Sequence, residues 1–257
     1  MCGRFNLHTS PSQWVTALLP GLQPDLLPEI RPRYNIAPTQ MVPVVRQLGG
    51  PWQDGELFTR AAVQLPNHTD VRELRFLKWG LLPGWAKEPN IGASMINARS
   101  ESAHEKTSFR KPLSVRRCLI PVDGYYEWQR IGKVKQPFHI RAHDQRTLFF
   151  AGLWDANKQL QPGTTMLSCT ILTMGARPDL AWVHDRMPVF VPPDFCDVWL
   201  ANEPDGRQVL DHVLAVADRQ EFRVEPVSVY VNNARNEGAE CIQPLDGQMP
   251  DSTTAPK

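Results

Sequence analysis

The sequence predicts an α+β fold: a single domain, mainly antiparallel β-sheets forming a barrel-like core, with peripheral helices. Three observations lead there. Eight short runs are β-branched or aromatic and bounded by Gly, Pro or Asp, which is the composition of strands that end in turns. Helical signals are few and do not alternate regularly with the strands, so a doubly wound parallel sheet is disfavoured. The 24 prolines are spread along the chain rather than gathered in one tract, as expected for many short elements joined by turns.

In chain order, Ser10-Pro11 offers an N-cap followed by proline at the first helical position, which predicts a helix over 12–19. Strands are expected at 41–46, 57–65, 76–82, 118–122, 138–142, 148–153, 166–173 and 189–191. Asp123-Gly124 reads as a turn into a further strand that carries Glu127. Helices are expected over 193–200 and 207–217, the latter with Val209, Val213, Leu214 and Ala217 on one apolar stripe. No repeat or long linker divides the chain. The domain is expected to span 1–247, with 248–257, rich in Pro, Ser and Thr, as a disordered tail.

Composition excludes several classes. A chain of 257 residues with 42% hydrophobic content can bury a sizeable core. The first ten residues hold no apolar signal-peptide region and no stretch approaches the ~18 apolar residues of a membrane helix, so a cytoplasmic, membrane-free protein is expected. Cys2, Cys118, Cys169, Cys196 and Cys241 are scattered and odd in number, which argues against a disulfide framework and against a zinc knuckle. His139 and His143 have the spacing of a metal pair on a helix, but they fall on an expected strand and are read as surface residues. No metal and no cofactor are expected. With 28 basic and 27 acidic residues the net charge is +1, which neither announces nor forbids a nucleic-acid binder.

Met1-Cys2-Gly3-Arg4 is the most chemically suggestive segment. Removal of Met1, which a small second residue permits, leaves Cys2 with an α-amine beside its thiol. The two groups titrate near ~8 and ~8.5, so both are partly nucleophilic at neutral pH. Such a 1,2-aminothiol condenses with an aldehyde to an imine, and its thiol then closes a five-membered thiazolidine. On this tetrapeptide alone, a chance cysteine, buried and inert, is the better reading.

The segment Trp79-Gly80-Leu81-Leu82-Pro83-Gly84-Trp85 could give an aromatic platform for unstacked bases or a core turn with Trp as packing mass; the two readings balance. Downstream, Asn97 could orient a polar group of a substrate, and Arg99 could hold a phosphate or sit in a surface ion pair. Glu127, between Tyr126 and Trp128, is a carboxyl in apolar surroundings, whose pKa such surroundings raise for acid or base work; for any single Glu, a solvated edge position is the commoner outcome. His184, beside Asp185 and Arg186, could shuttle protons, although most histidines are structural. Val231 to Asn236 reads as a polar turn.

Taken in order, MCGR, RYNIAP, WGLLPGW, INARSE, CLIPVDGYYEW, HDRMP and VNNARN resemble the SRAP family (SOS response-associated peptidase) from Met1 to the 230s. The resemblance implies a protein that binds single-stranded DNA and traps the open-chain aldehyde of an abasic site as a thiazolidine on its N-terminal cysteine. It implies catalytic roles for Cys2, Asn97, Glu127 and His184, and DNA contacts at Arg4, Asn35, Pro38, Trp79, Trp85, Arg99 and Trp128. The implied partner is single-stranded DNA containing abasic sites, met by a monomer that joins the nucleoid when bound. Residues 47–75 and Val122 depart from the family pattern.

Three rivals remain. A glutamine amidotransferase also begins Met-Cys-Gly, but its downstream arginine and Asn-Gly motifs are missing. A thiol peptidase acting through Cys2 and His184 is the second. A non-catalytic single-strand binder is the third.

Overall fold

The computed structural model describes residues 2–48, 61–65, 70–132, 134–202 and 205–245. Its strands are β1 (Phe5–Leu7), β2 (Arg33–Ile36), β3 (Met41–Leu48), β4 (Ala62–Gln64), β5 (Val71–Trp79), β6 (Asn97–Arg99), β7 (Arg117–Val122), β8 (Gly124–Ile131), β9 (Val134–Ala142), β10 (Leu148–Asn157), β11 (Met166–Gly175), β12 (Arg186–Pro188) and β13 (Phe222–Pro226). The helices are α1 (Val15–Leu18), α2 (Ile91–Ser94), α3 (Thr107–Val115), α4 (Cys196–Leu200) and α5 (Gly206–Val216). The fold is the α+β class the sequence predicts.

One sheet runs β12-β11-β10-β7-β3-β5-β4, and a parallel pairing of β11 with β5, Ser168 opposite Lys78 and Cys169 opposite Trp79, bends it into a partial ring. Closing a sheet on itself removes exposed strand edges, which otherwise invite pairing with other chains. The second sheet, β13-β9-β8-β1-β2, is antiparallel throughout. The two share one apolar core. Phe5 of β1 lies 5.1 Å from Trp79 of β5 and 5.7 Å, edge-on, from Phe150 of β10. Within that core Arg46 and Glu73, directly opposite on β3 and β5, form a fully buried ion pair, with the guanidinium 4.1 Å from the Trp154 ring centroid. Removing either partner of such a pair strands a charge, at a cost of ~3–5 kcal/mol.

Several expectations shift, for identifiable reasons. The strand expected at 76–82 is β5, which starts earlier and stops at Trp79. Gly80 turns the chain at φ +122° and packs so closely that a Cβ would meet the Gly92 carbonyl oxygen at 2.5 Å. The strand expected at 189–191 is displaced to β12, whose Arg186 to Pro188 pair with Gly175 to Thr173; only Phe190 keeps a bridge, to Phe150. Of the 57–65 run, Ala62–Gln64 form β4, while 57–60 lie outside the described residues, as does the 248–257 tail. The 12–19 helix is a 3₁₀ turn, Pro11–Gln13, followed by α1; the Ser10 hydroxyl meets Ser12 rather than capping it.

The expected C-terminal helix is α5, capped by the Asp205 carboxylate, which accepts from the Gln208 N–H. Helix α3 has no counterpart in the sequence reading. Pro112 sits inside it and reads as a breaker, yet Phe109, Pro112 and Leu113 recur at helical spacing and are all buried, so packing overrides propensity. His139 is a correction: it is buried, 2% exposed, with Nε2 2.9 Å from Asn6 Oδ1, whereas His143 is exposed. Gly124 is what admits it, because a Cβ there would collide with His139 Nε2. Among the described residues no helix is long and apolar enough to cross a membrane.

Candidate active site around Cys2

Cys2 enters the site because the strand after it is held on both sides. Phe5 of β1 pairs with Ile36 of β2 and with Tyr125 of β8, and the Tyr126 N–H donates to the Arg4 carbonyl at 3.0 Å. Cys2 is fully buried. Asn97 reaches it from β6, which lies parallel to β11 with Asn97 beside Ile171. The Asn97 Nδ2 donates to the Cys2 carbonyl at 2.8 Å, and its buried Oδ1 meets no donor among the described residues.

Glu127 comes from β8, two residues beyond Tyr125 and so on the same face. It is 3% exposed, and burial raises its carboxyl pKa; the positive chain terminus and His184 draw it part of the way back. The Cys2 thiol is raised as well, first by burial and second by the charge of Glu127. The thiol therefore stays protonated at neutral pH. Tyr125, also buried, is raised well above the usual phenol value by burial, then by Cys2 and Glu127.

His184 lies between β11 and β12. Its Nδ1 accepts from the Arg186 N–H at 2.9 Å, which places the proton of the neutral ring on Nε2. Asp185 Oδ1 is also 2.9 Å from Nδ1, an attraction only when the ring is charged. Arg186 clasps Glu101 with two bonds, 2.6 and 3.0 Å, and donates to the Thr173 carbonyl at 2.7 Å. It thereby ties the segment carrying Asn97 to the one carrying His184.

The structure thus brings Cys2, Asn97, Glu127 and His184 together. The residues expected to touch DNA divide. Arg99 is exposed; its backbone pairs with Thr173 of β11, and its side chain makes no hydrogen bond or ion pair among the described residues. Trp85 is 50% exposed, on an open groove of about 470 Å³ that Lys87, Ile91 and Ser94 also line. Pro38 and Trp128 are half-buried, and the Trp128 Nε1 donates to Asn232 Oδ1 at 2.7 Å.

Trp79 and Asn35 are corrections. Trp79 is 0% exposed and its Nε1 donates to the Ile96 carbonyl at 2.9 Å, so it has no face for a base. Asn35 is likewise buried; its Nδ2 donates to the carbonyls of Val231, Asn233 and Asn236 at 3.2, 3.0 and 2.9 Å. Arg4 is turned into the same knot, donating to Asn35 Oδ1 at 2.6 Å and to the Val231 carbonyl at 2.9 Å, 5.8 Å from the Trp128 ring centroid. Together they pin the VNNARN turn against the N-terminal strand. Sequence reading passed over Tyr125, Arg186 and Glu101. The two-residue period linking Tyr125 to Glu127 could have found the first, while the Arg186–Glu101 pair joins distant segments and leaves no local signal.

A model of the SOS response associated peptidase (SRAP) family matches residues 1–234. The abasic site processing protein YoaM of Bacillus subtilis is 33% identical over 244 residues, covering 94% of this chain and 97% of that protein. The abasic site processing protein YedK of Escherichia coli is 29% identical over 248 residues, 95% of this chain and all of that one. A solved structure of a protein from Bacteroides thetaiotaomicron superposes with a TM-score of 0.73 over 95% of this chain and all of its own; at 18% identity it speaks for the fold alone.

Proposed function

Because this chain belongs to the SOS response associated peptidase family, we propose that it processes abasic sites in single-stranded DNA by forming a covalent crosslink through Cys2. Hydrolytic removal of Met1 exposes the Cys2 α-amine. The amine adds to the open-chain aldehyde of the abasic sugar and loses one water to give an imine. The thiol then adds across the C=N bond, sulfur to carbon and proton to nitrogen, closing a thiazolidine. No electrons are exchanged and one water leaves per crosslink.

The observation that carries this reading is the 2.8 Å bond from Asn97 Nδ2 to the Cys2 carbonyl, made beside the buried carboxyl of Glu127. Fixing that carbonyl holds the Cys2 backbone, and with it the Cα that carries the amine, in place within the site, and positioning of this kind is a large part of catalysis. A carboxyl whose pKa burial raises can both deliver and accept protons near neutrality, as opening of the sugar ring and collapse of the imine require. His184, with its proton on Nε2, is the second proton carrier. A thiol peptidase needs a depressed thiol pKa; here burial and Glu127 push it up, which favours amine-first chemistry. Arg99 and Trp85 supply a phosphate contact and a stacking face for the strand, and neither asks for a duplex.

Intact mass after incubation with an abasic single-stranded oligonucleotide tests the proposal. The expected product is the chain without Met1 plus the oligonucleotide, less one water, stable to heat. Cys2→Ser keeps the amine but not the thiol. It should form an imine that borohydride traps and that cuts the strand by β-elimination, without a heat-stable adduct. A stable adduct from Cys2→Ser, or from a chain that retains Met1, would overturn the thiazolidine mechanism.

A further inference from the structure

We infer that Trp182 is a stacking subsite for the nucleobase next to the abasic nucleotide, an inference that rests on the reaction proposed at Cys2. Trp182 lies two residues before His184 and is 41% exposed, yet it is held firmly. Its Nε1 donates to the Asp179 carbonyl at 2.9 Å, and its own carbonyl accepts from Gln129 Nε2 at 3.1 Å. Its ring meets that of Phe138 edge to face, centroids 5.0 Å apart at 84°.

Those contacts locate the indole. Phe138 is fully buried and directly opposite Glu127 in the β8–β9 pair. Cross-strand partners on one sheet face lie ~5 Å apart, so the indole stands two side-chain steps from the Glu127 carboxyl. Gln129, two residues from Glu127, shares that face. A DNA strand whose abasic sugar reaches Cys2 and Glu127 would carry its neighbouring nucleotide over this ring.

The surroundings select a base rather than a phosphate. The indole N–H is already satisfied by Asp179, so what remains available to a ligand is the π-face. The flanking side chains are acidic: Asp185 is 87% exposed, and Asp179 is 52% exposed and bound to Arg177, whose Nη1 also donates to the Gln220 carbonyl. A phosphate, which needs an available cation, is disfavoured there because Arg177 is committed to Asp179. A neutral base is not, and every base has a face to stack, so the subsite tolerates any sequence.

The test uses three abasic oligonucleotides: one with bases on both sides of the site, and two in which one neighbour or the other is a tetrahydrofuran residue, which has neither base nor aldehyde. Adduct formation at sub-saturating protein is measured for wild type, Trp182→Ala, Trp182→Leu and Trp182→Phe. Leucine keeps an apolar cover over Phe138 without a π-face, so it guards against misfolding of the alanine variant. Affinity for the same three strands with tetrahydrofuran at the central position reads the subsite without the crosslink.

On the fully based strand, Trp182→Leu and Trp182→Ala should slow the adduct and weaken affinity about five- to tenfold, at the lower end of a base–aromatic stack. On one of the two base-deleted strands their penalty should vanish, and Trp182→Phe should restore most of the loss. Equal behaviour of Trp182→Leu and wild type on the fully based strand would overturn the inference, as would an equal penalty on all three. If wild type formed no adduct at all, the crosslinking proposal would fall, while the affinity series would still decide the subsite.

Discussion

Replacing Trp79 should weaken the fold and misplace Asn97 rather than remove a DNA contact. The ring is fully buried, 5.1 Å from Phe5, and its Nε1 donates to the carbonyl of Ile96, the residue before Asn97. Truncation of a buried aromatic to alanine costs ~3–5 kcal/mol, and losing the indole donor adds ~0.5–1.5 kcal/mol, since the Ile96 carbonyl keeps the Ile171 N–H at 3.1 Å. A loss of that size takes a large part of a typical domain's ~5–15 kcal/mol, so Trp79→Phe is the informative variant. It keeps a ring against Phe5 but loses the indole N–H and part of the volume, for an expected ~2–4 kcal/mol. At an m-value of ~3 kcal/mol per M the urea midpoint falls by roughly 1 M. Adduct formation should slow with it, because a shifted Ile96 carries Asn97 away from the Cys2 carbonyl. Affinity for intact single-stranded DNA should stay at the wild-type value. An unchanged urea midpoint with affinity down about fivefold or more, the size of a lost stack, would instead place Trp79 on the DNA surface.

Three further outcomes are expected. Burial raises Glu127 above the ordinary carboxyl value, so between the two the folded chain holds a proton the unfolded chain has lost, and stability falls as pH rises through that window. Glu127→Gln removes that slope: its urea midpoint at neutral pH should be no lower than wild type, while adduct formation slows by ~10²-fold. His139 is pushed down to about 3, first by burial, so the unfolded chain binds a proton the folded one refuses and stability is lost as pH falls from ~6.5 toward that value. His139→Gln should flatten the pH dependence of the unfolding free energy from urea titrations in that range by ~1.4 kcal/mol per pH unit. Arg99→Ala should reduce the slope of log affinity against log salt by ~0.7 while leaving the adduct yield at saturating DNA unchanged.

The strands were readable where the pattern is local. The runs behind β3, β7, β10 and β11 are apolar, β-branched and bounded by turn residues, and each recurs with its ends extended by one to four residues. The shorter strands β1, β2, β6 and β13 carry no such signature, since three to five residues hold too few alternations. They exist because a neighbour offers a ladder: β6 lies along β11, and β13 along β9. Helix α3 was missed for the opposite reason, a strong local breaker outweighed by burial.

Read alone, the sequence determined the α+β class and the family, because these reside in residue types and their order. Which residues share a site, and which face a ligand, was decided by tertiary structure. Asn97 is 95 positions from Cys2 and meets it only because β6 lies beside β11 while β1 is gripped by β2 and β8. Trp79 and Trp85 make the same point within one motif: identical side chains in WGLLPGW, one 0% exposed and hydrogen-bonded to Ile96, the other 50% exposed on a groove. Burial is a property of everything packed around a side chain, most of it distant in sequence, so a seven-residue motif carries no record of which ring turns inward.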